Sequence, residues 1–108
     1  KAIIDLTKSL NVKKLRRLSF FKLGEANYNM EKWDDAILNF SQAIKLDDKN
    51  EDFFSKRGLA YQKSGKPDKA IEDFSEAITI NPRNKKNWHN RGIAFFSLIA
   101  IATSFLIA

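Results

Sequence analysis

Residues 51–84 read EDFFSKRGLAYQKSGKPDKAIEDFSEAITINPRN, and residues 17–50 read RLSFFKLGEANYNMEKWDDAILNFSQAIKLDDKN. Laid over each other without a gap, the two stretches agree at 13 of 34 positions. The agreements include Phe20/Phe54, Gly24/Gly58, Ala26/Ala60, Ala36/Ala70, Ile37/Ile71, Phe40/Phe74, Ala43/Ala77 and Asn50/Asn84. A fixed period of this length is the mark of a repeat architecture. The shift reaches both flanks. Ala2, Ile3, Leu6 and Ser9 fall one period before Ala36, Ile37, Phe40 and Ala43, and Trp88, Arg91, Gly92, Ala94 and Phe95 fall one period after Phe54, Arg57, Gly58, Ala60 and Tyr61. The chain is therefore half a repeat, two whole repeats and at least another half.

Within each repeat the apolar spacing is helical. Phe54, Gly58 and Tyr61 stand at i, i+4, i+7, as do Ala70, Phe74 and Ala77. Between them Gly65 suits a helix end and Pro67 the first turn of the next helix. Asn50 and Asn84 stand where an N-cap is needed, Glu51 and Asp52 favour the positive helix start, and Pro82 stops the second helix. Each repeat is thus an antiparallel helix pair, with helices predicted near 1–11, 17–29, 33–46, 51–64, 67–80 and from 85 onward. A mid-helix glycine costs up to about 1 kcal/mol relative to alanine. Its recurrence at Gly24, Gly58 and Gly92 predicts a neighbouring helix too close for a Cβ. Phe20, Phe54 and Trp88, with Leu6, Phe40 and Phe74, are the large residues expected to fill the gaps beside the small ones.

This large–small–aromatic pattern resembles the tetratricopeptide repeat (TPR). Phe54, Gly58, Tyr61, Ala70, Phe74, Ala77 and Pro82 carry the resemblance, and residues 17–50 match except that Asn27 replaces the aromatic and Asp48 the proline. The resemblance covers residues 1 to about 98. It implies an all-α fold, a solenoid of αα-hairpins stacked in a right-handed superhelix. The organisation expected is a second helix of a preceding repeat at 1–16, whole repeats at 17–50 and 51–84, the first helix of a further repeat at 85–98, and an apolar helical extension at 99–108. It also implies a scaffold or adaptor that binds a peptide or helix in its concave groove, and not an enzyme.

Composition agrees with a binding scaffold. The chain has 108 residues, 44% hydrophobic and 30% charged, with 4 Gly and 2 Pro, which is globular rather than disordered. With no Cys and one His, it has no disulfide, no thiol nucleophile and no multi-His metal site. No Gly-rich phosphate loop is present, and Asp47 to Asp52 lacks the glycine and glutamate spacing of a calcium loop. Asp34-Asp35 reads as first-turn helix charge. No cofactor is expected. The triplet Asn39-Phe40-Ser41 is a glycosylation pattern made idle by the core position of Phe40. The chain begins at Lys1, without Met or a signal-peptide layout, and reads as a piece of a longer repeat array in the cytoplasm.

The groove residues follow from the resemblance, as the positions of each first helix lying between its packing positions. They are Leu18, Phe21, Lys22, Glu25 and Asn29, then Asp52, Ser55, Lys56, Leu59 and Lys63, then Lys86, His89, Asn90 and Ile93. Lys22, Glu25, Ser55, Lys56, Lys86, His89 and Asn90 are the candidate peptide-binding set. Lysines outnumber acids, and the chain carries a net charge of +6, so an acidic protein or peptide is the expected partner. One TPR subclass holds the C-terminal carboxylate of heat-shock chaperones with a clamp of Lys, Asn and Arg. Its positions fall here on Phe21, Glu25, Lys56, Lys86 and Asn90, of which only Lys86 fits. One repeat later, Ser55 and Leu59 take the first two places and only Asn90 is gained. The clamp is not intact in either register.

Two basic clusters, Lys13-Lys14-Arg16-Arg17 and Arg83-Lys85-Lys86-Arg91, could form a stripe for nucleic acid. The acidic turn between them breaks it, and the aromatics are core rather than stacking platforms. After Arg91 no charge follows to Ala108. The turn expected near 98–102 has no Gly, Pro or polar cluster. Three readings are open for residues 92–108: a continuous helix covering the open end of the stack, the start of a membrane helix flanked by the second basic cluster, or a self-association face.

Overall fold

A computed structural model describes residues 2–107, with the side chains of residues 8–107. Five helices follow one another: α1 (Ala2–Asn29), α2 (Trp33–Leu46), α3 (Glu51–Lys63), α4 (Pro67–Ile80) and α5 (Lys85–Ile107). Each packs on the next in the chain, and α3 also touches α1 and α5. The result is an all-α helical repeat, 67 × 29 × 18 Å.

The turn inside each repeat is built the same way. Gly65 N–H donates to the Gln62 carbonyl at 3.2 Å and Lys66 N–H to the Tyr61 carbonyl at 2.9 Å. These two bonds close α3 as a Schellman motif, with Gly65 in the left-handed region at φ +80°. One period earlier, Glu31 donates to Tyr28 at 2.9 Å and Lys32 to Asn27 at 2.8 Å. Glu31 holds φ +61° where the next repeat has glycine, a strain of roughly 1–2 kcal/mol for a residue with a Cβ. Between repeats, the Asn50 side chain accepts from Asp52 N–H at 3.0 Å and the Asn84 side chain from Lys86 N–H at 3.1 Å, which are the caps expected there.

Small residues meet rings as the period requires. Ala36, Phe40, Ala43, Ala70, Phe74 and Ala77 are all buried. A Cβ placed on Gly24 would lie 2.5 Å from the Phe40 ring, and one on Gly58 would lie 2.7 Å from the Phe74 ring. Ala60 packs against Ala36 and Phe40, and Ala94 against Ala70 and Phe74, which joins one pair to the next. Arg57 crosses the same junction. Its Nε and Nη2 donate to the Asp73 carboxylate at 2.8 and 2.7 Å, and its Nη1 donates to Ser41 Oγ at 3.1 Å. Arg57 therefore ties α2, α3 and α4 together, with its guanidinium 5.8 Å from the centres of the Phe54 and Tyr61 rings. Burial pushes the Asp73 carboxyl up, and the guanidinium pulls against that shift.

Three expectations are corrected at the ends. The break expected between residues 11 and 17 is absent, and α1 runs straight through it. Residues 12–16 are Val-Lys-Lys-Leu-Arg, with no Gly or Pro to stop a helix. Residues 8–16 are exposed. Ala26, the period-mate of buried Ala60 and Ala94, is exposed too, because no folded-back helix covers it. The packing roles read for Ala2, Ile3 and Leu6 concern side chains outside the described residues.

The second and third corrections lie on α5. A Cβ on Gly92 would meet nothing within 4 Å, and Trp88 is 46% exposed rather than a gap-filling partner. Both lack an opposing helix because α5 continues instead of turning back. The continuous helix was one of the three readings, but it does not cover the stack, since residues 98–107 are all exposed.

Candidate functional site

The expected groove is the face of the first helices, α1, α3 and α5. Glu25, Tyr28 and Asn29 of α1, Phe40 of α2 and Lys56 of α3 line a cavity of about 90 Å³. Lys22 is exposed on the same helix as Glu25, while Glu25 and Lys56 are half-buried. On α5, Lys86 and His89 are exposed and Asn90 is half-buried. Among the described residues, Lys22, Lys56 and Lys86 have no carboxylate within ion-pair distance. The structure thus brings Glu25 and Lys56 to one cavity and leaves Lys86, His89 and Asn90 as a separate patch on α5.

Ser55 is placed differently. Its hydroxyl bonds to Asn87 Oδ1 at 2.5 Å, in the seam between α3 and α5. Asn87, 1% exposed, donates from Nδ2 to Glu51 Oε2 at 2.8 Å. Glu51 also accepts from Asn81 Nδ2 at 2.7 Å and from Asn84 Nδ2 at 3.2 Å. One carboxylate therefore gathers the turn before α5 and α5 itself onto the start of α3, and Ser55 extends the network. Buried polar groups need such partners, because each one left unpaired costs about 1–3 kcal/mol.

Phe21, expected in the groove, belongs to the other seam. Its ring lies 5.0 Å from Phe53 and 5.7 Å from Phe40, and Phe53 is 2% exposed. Phe21 to Phe53 and Ser55 to Asn87 are both separated by 32 residues. The α1–α3 seam has an aromatic pair where the α3–α5 seam has the Ser55–Asn87 hydrogen bond. A search at the 34-residue repeat misses both pairs.

The remaining sequence features resolve simply. Asn39 Nδ2 donates to Asn27 Oδ1 at 2.7 Å, so the amide of the glycosylation triplet is engaged and Asn27 has a partner in place of the missing aromatic. Arg17 Nε lies 4.0 Å from Asp47 Oδ2, so the acidic turn draws on the first basic cluster. Lys8, Lys13 and Arg16 line a cleft beside Leu46.

A tetratricopeptide repeat model matches residues 52–84 and a TPR repeat model matches residues 24–65. No curated protein matches the chain significantly. Among solved structures, the TPR domain of Arabidopsis OM64 is 26% identical with a TM-score of 0.75, over 78% of this chain and 69% of that one. The Sgt2 TPR domain from Aspergillus fumigatus is 28% identical with a TM-score of 0.74, over 78% of this chain and 56% of that one. This chain thus spans little more than half the length of the Sgt2 domain. The first TPR of Spaghetti (RPAP3), bound to the HSP90 peptide SRMEEVD, is 26% identical with a TM-score of 0.75, over 78% and 67%.

Proposed function

We propose, on the premise that this chain belongs to the tetratricopeptide repeat family, that it holds an acidic peptide on the face made by α1, α3 and α5. Repeats of this family form protein–protein interaction modules, and the fold of this chain is that of such a module. The observation that carries the finer reading is the set of three lysines, Lys22, Lys56 and Lys86, without carboxylate partners among the described residues. Glu25 is the one acid of the candidate set. His89 and Asn90 add polar groups beside Lys86, and Ser55 acts by holding the seam beneath them. A similar domain holds the acidic peptide SRMEEVD. The chaperone clamp is not intact here, which favours acidic side chains over a C-terminal carboxylate as the recognised feature.

Fluorescence anisotropy with acidic and basic peptide pools tests this. Acidic pools bind more tightly at low salt, and the preference fades as salt screens it. Lys56→Glu with Lys86→Glu weakens acidic-pool binding at least about ten-fold, the equivalent of one charge-assisted hydrogen bond. Lys69→Glu on α4 serves as the control. Equal binding of both pools at low salt sinks the reading.

A second reading rests on the exposed end of α5, where Phe105, Leu106 and Ile107 are 84%, 86% and 82% exposed. α5 is apolar and long enough to enter a bilayer by length and composition. The uncharged part of α5, from Gly92 to Ile107, makes about 24 Å of helix at 1.5 Å per residue, against a hydrocarbon core of roughly 30 Å. We propose that it enters a membrane from the cytoplasmic side as an anchor, with Arg83, Lys85, Lys86 and Arg91 toward the head groups. In flotation with phosphatidylcholine–phosphatidylserine vesicles, the protein floats and Phe105→Asp with Leu106→Lys sediments. Flotation unchanged by the double substitution rejects insertion here.

A further inference from the structure

One cavity in the groove sets two opposite charges against each other without joining them. Glu25 of α1 and Lys56 of α3 line the same space of about 90 Å³, with Asn29 beside them. Both are half-buried, and neither lies within ion-pair distance of the other or of any other described residue. Buried Phe40, and Tyr28 packed on the Phe40 cluster, supply the apolar wall. Burial pushes the Tyr28 hydroxyl up, so it stays an uncharged phenol and adds no third charge. A single water needs only about 10–15 Å³ of such space, so a side-chain head group has room to enter.

The lining decides which head group that is. A carboxylate meets Lys56 but also Glu25. An ammonium or guanidinium meets Glu25 but also Lys56. At equal distance the like charge opposes binding as strongly as the opposite charge favours it. An apolar group strips water from both charges and returns no hydrogen bond. A carboxamide is neutral and carries donors and an acceptor on one carbon. Its NH2 donates to the Glu25 carboxylate while its oxygen accepts from the Lys56 ammonium, and both bonds are charge-assisted. The opposition occurs once along the groove. One period on, the places of Glu25 and Lys56 are taken by Leu59 and Asn90, which carry no charge.

Resting on the acidic-peptide reading above, we propose that this cavity is a subsite for one asparagine or glutamine side chain within the acidic peptide. Glu25 is the residue that sets this specificity, and Lys56 binds the amide oxygen. Exposed Lys22, one turn before Glu25 on α1, is left to take a flanking acidic residue. The recognised segment is acidic with one amide in it, rather than acidic throughout.

Fluorescence anisotropy with acidic peptides alike except at one central position tests this, with Gln, Asn, Glu, Lys, Leu or Ser in that position. The tighter of the Gln and Asn peptides binds at least about ten-fold better than the Glu peptide, the equivalent of one charge-assisted hydrogen bond. It does so although the Glu peptide carries more negative charge. Glu25→Gln abolishes that ratio, since the cavity then holds one positive charge and accepts a carboxylate. Lys56→Gln moves the preference to the Lys peptide, because Glu25 is left alone. A merely structural role for either residue changes all the peptides alike. Equal binding of acidic and basic pools to the wild type removes the groove reading and this one with it. Acidic pools preferred, but with the amide peptides no better than the Glu, Leu or Ser peptide, overturns the subsite alone. So does an amide preference that survives Glu25→Gln.

Discussion

Arg57→Ala is expected to lower the unfolding free energy by about 3–5 kcal/mol, the usual loss when one member of a buried ion pair is removed. Asp73 is 3% exposed, and without Arg57 its carboxylate has no compensating charge. The same change frees Ser41 and opens the space beside the Phe54 and Tyr61 rings, so α2, α3 and α4 lose their shared tie. For a domain of this size such a loss is a large fraction of its total stability, which is commonly about 5–15 kcal/mol. Urea unfolding followed by helical circular dichroism measures it. Ser41→Ala keeps the Arg57–Asp73 pair and removes the bond from Arg57 Nη1 together with the Ser41 hydroxyl's own bond to the Ile37 carbonyl, at about 0.5–1.5 kcal/mol for each. The double variant Arg57→Ala with Asp73→Ala recovers part of the loss, because the stranded charge is gone. A single variant within about 0.5 kcal/mol of wild type would show that the pair carries no weight.

Phe74→Ala has an effect of similar size for a different reason. The ring is 1% exposed and lies against Gly58, which has no side chain to move into the gap. The site cannot collapse, so transfer and cavity losses add to about 3–5 kcal/mol. Trp88→Ala is the internal contrast. Its ring is larger, but no helix packs over it and it is 46% exposed, so its loss stays near 1 kcal/mol or below. Thermal melts of the two variants rank them. If Trp88→Ala melts as low as Phe74→Ala, then the packing at the carboxyl-terminal end has been misread.

The two whole repeats were legible because their signals are local. Gly24 faces Phe40 and Gly58 faces Phe74 across one tight turn, and Asn50 and Asn84 cap helices within two residues of themselves. A 34-residue comparison captures all of these. It does not capture contacts between successive first helices, so Phe21 reads as groove and Phe53 goes unnoticed, while Ser55 reads as a free polar residue. The ends were misread for another reason. A period projects a fold onto residues that carry its packing pattern but lack its breakers. Residues 12–16 contain nothing that stops a helix, and neither do residues 98–102. Each stays helical, so the hairpins their side chains specify are left unmade. In the candidate groove, residue types and helix faces were readable. The split between the Glu25–Lys56 cavity and the α5 patch depends on how the helices lean together and leaves no trace in spacing.

The two seams between first helices are made of unlike materials, and this sets how the stack responds to temperature. The Phe21–Phe53 seam is held by removal of apolar surface from water, a force that weakens on cooling. The Ser55–Asn87–Glu51 seam adds a buried hydrogen-bond network to the apolar contacts of Leu59 and Tyr61 with the Ala94 cluster, and shares that dependence less. Chilling therefore loosens the joint nearer the amino terminus first and leaves the other comparatively firm. The repeats are near copies in sequence, yet the solenoid bends more readily at one joint than at the other, and the cold decides which.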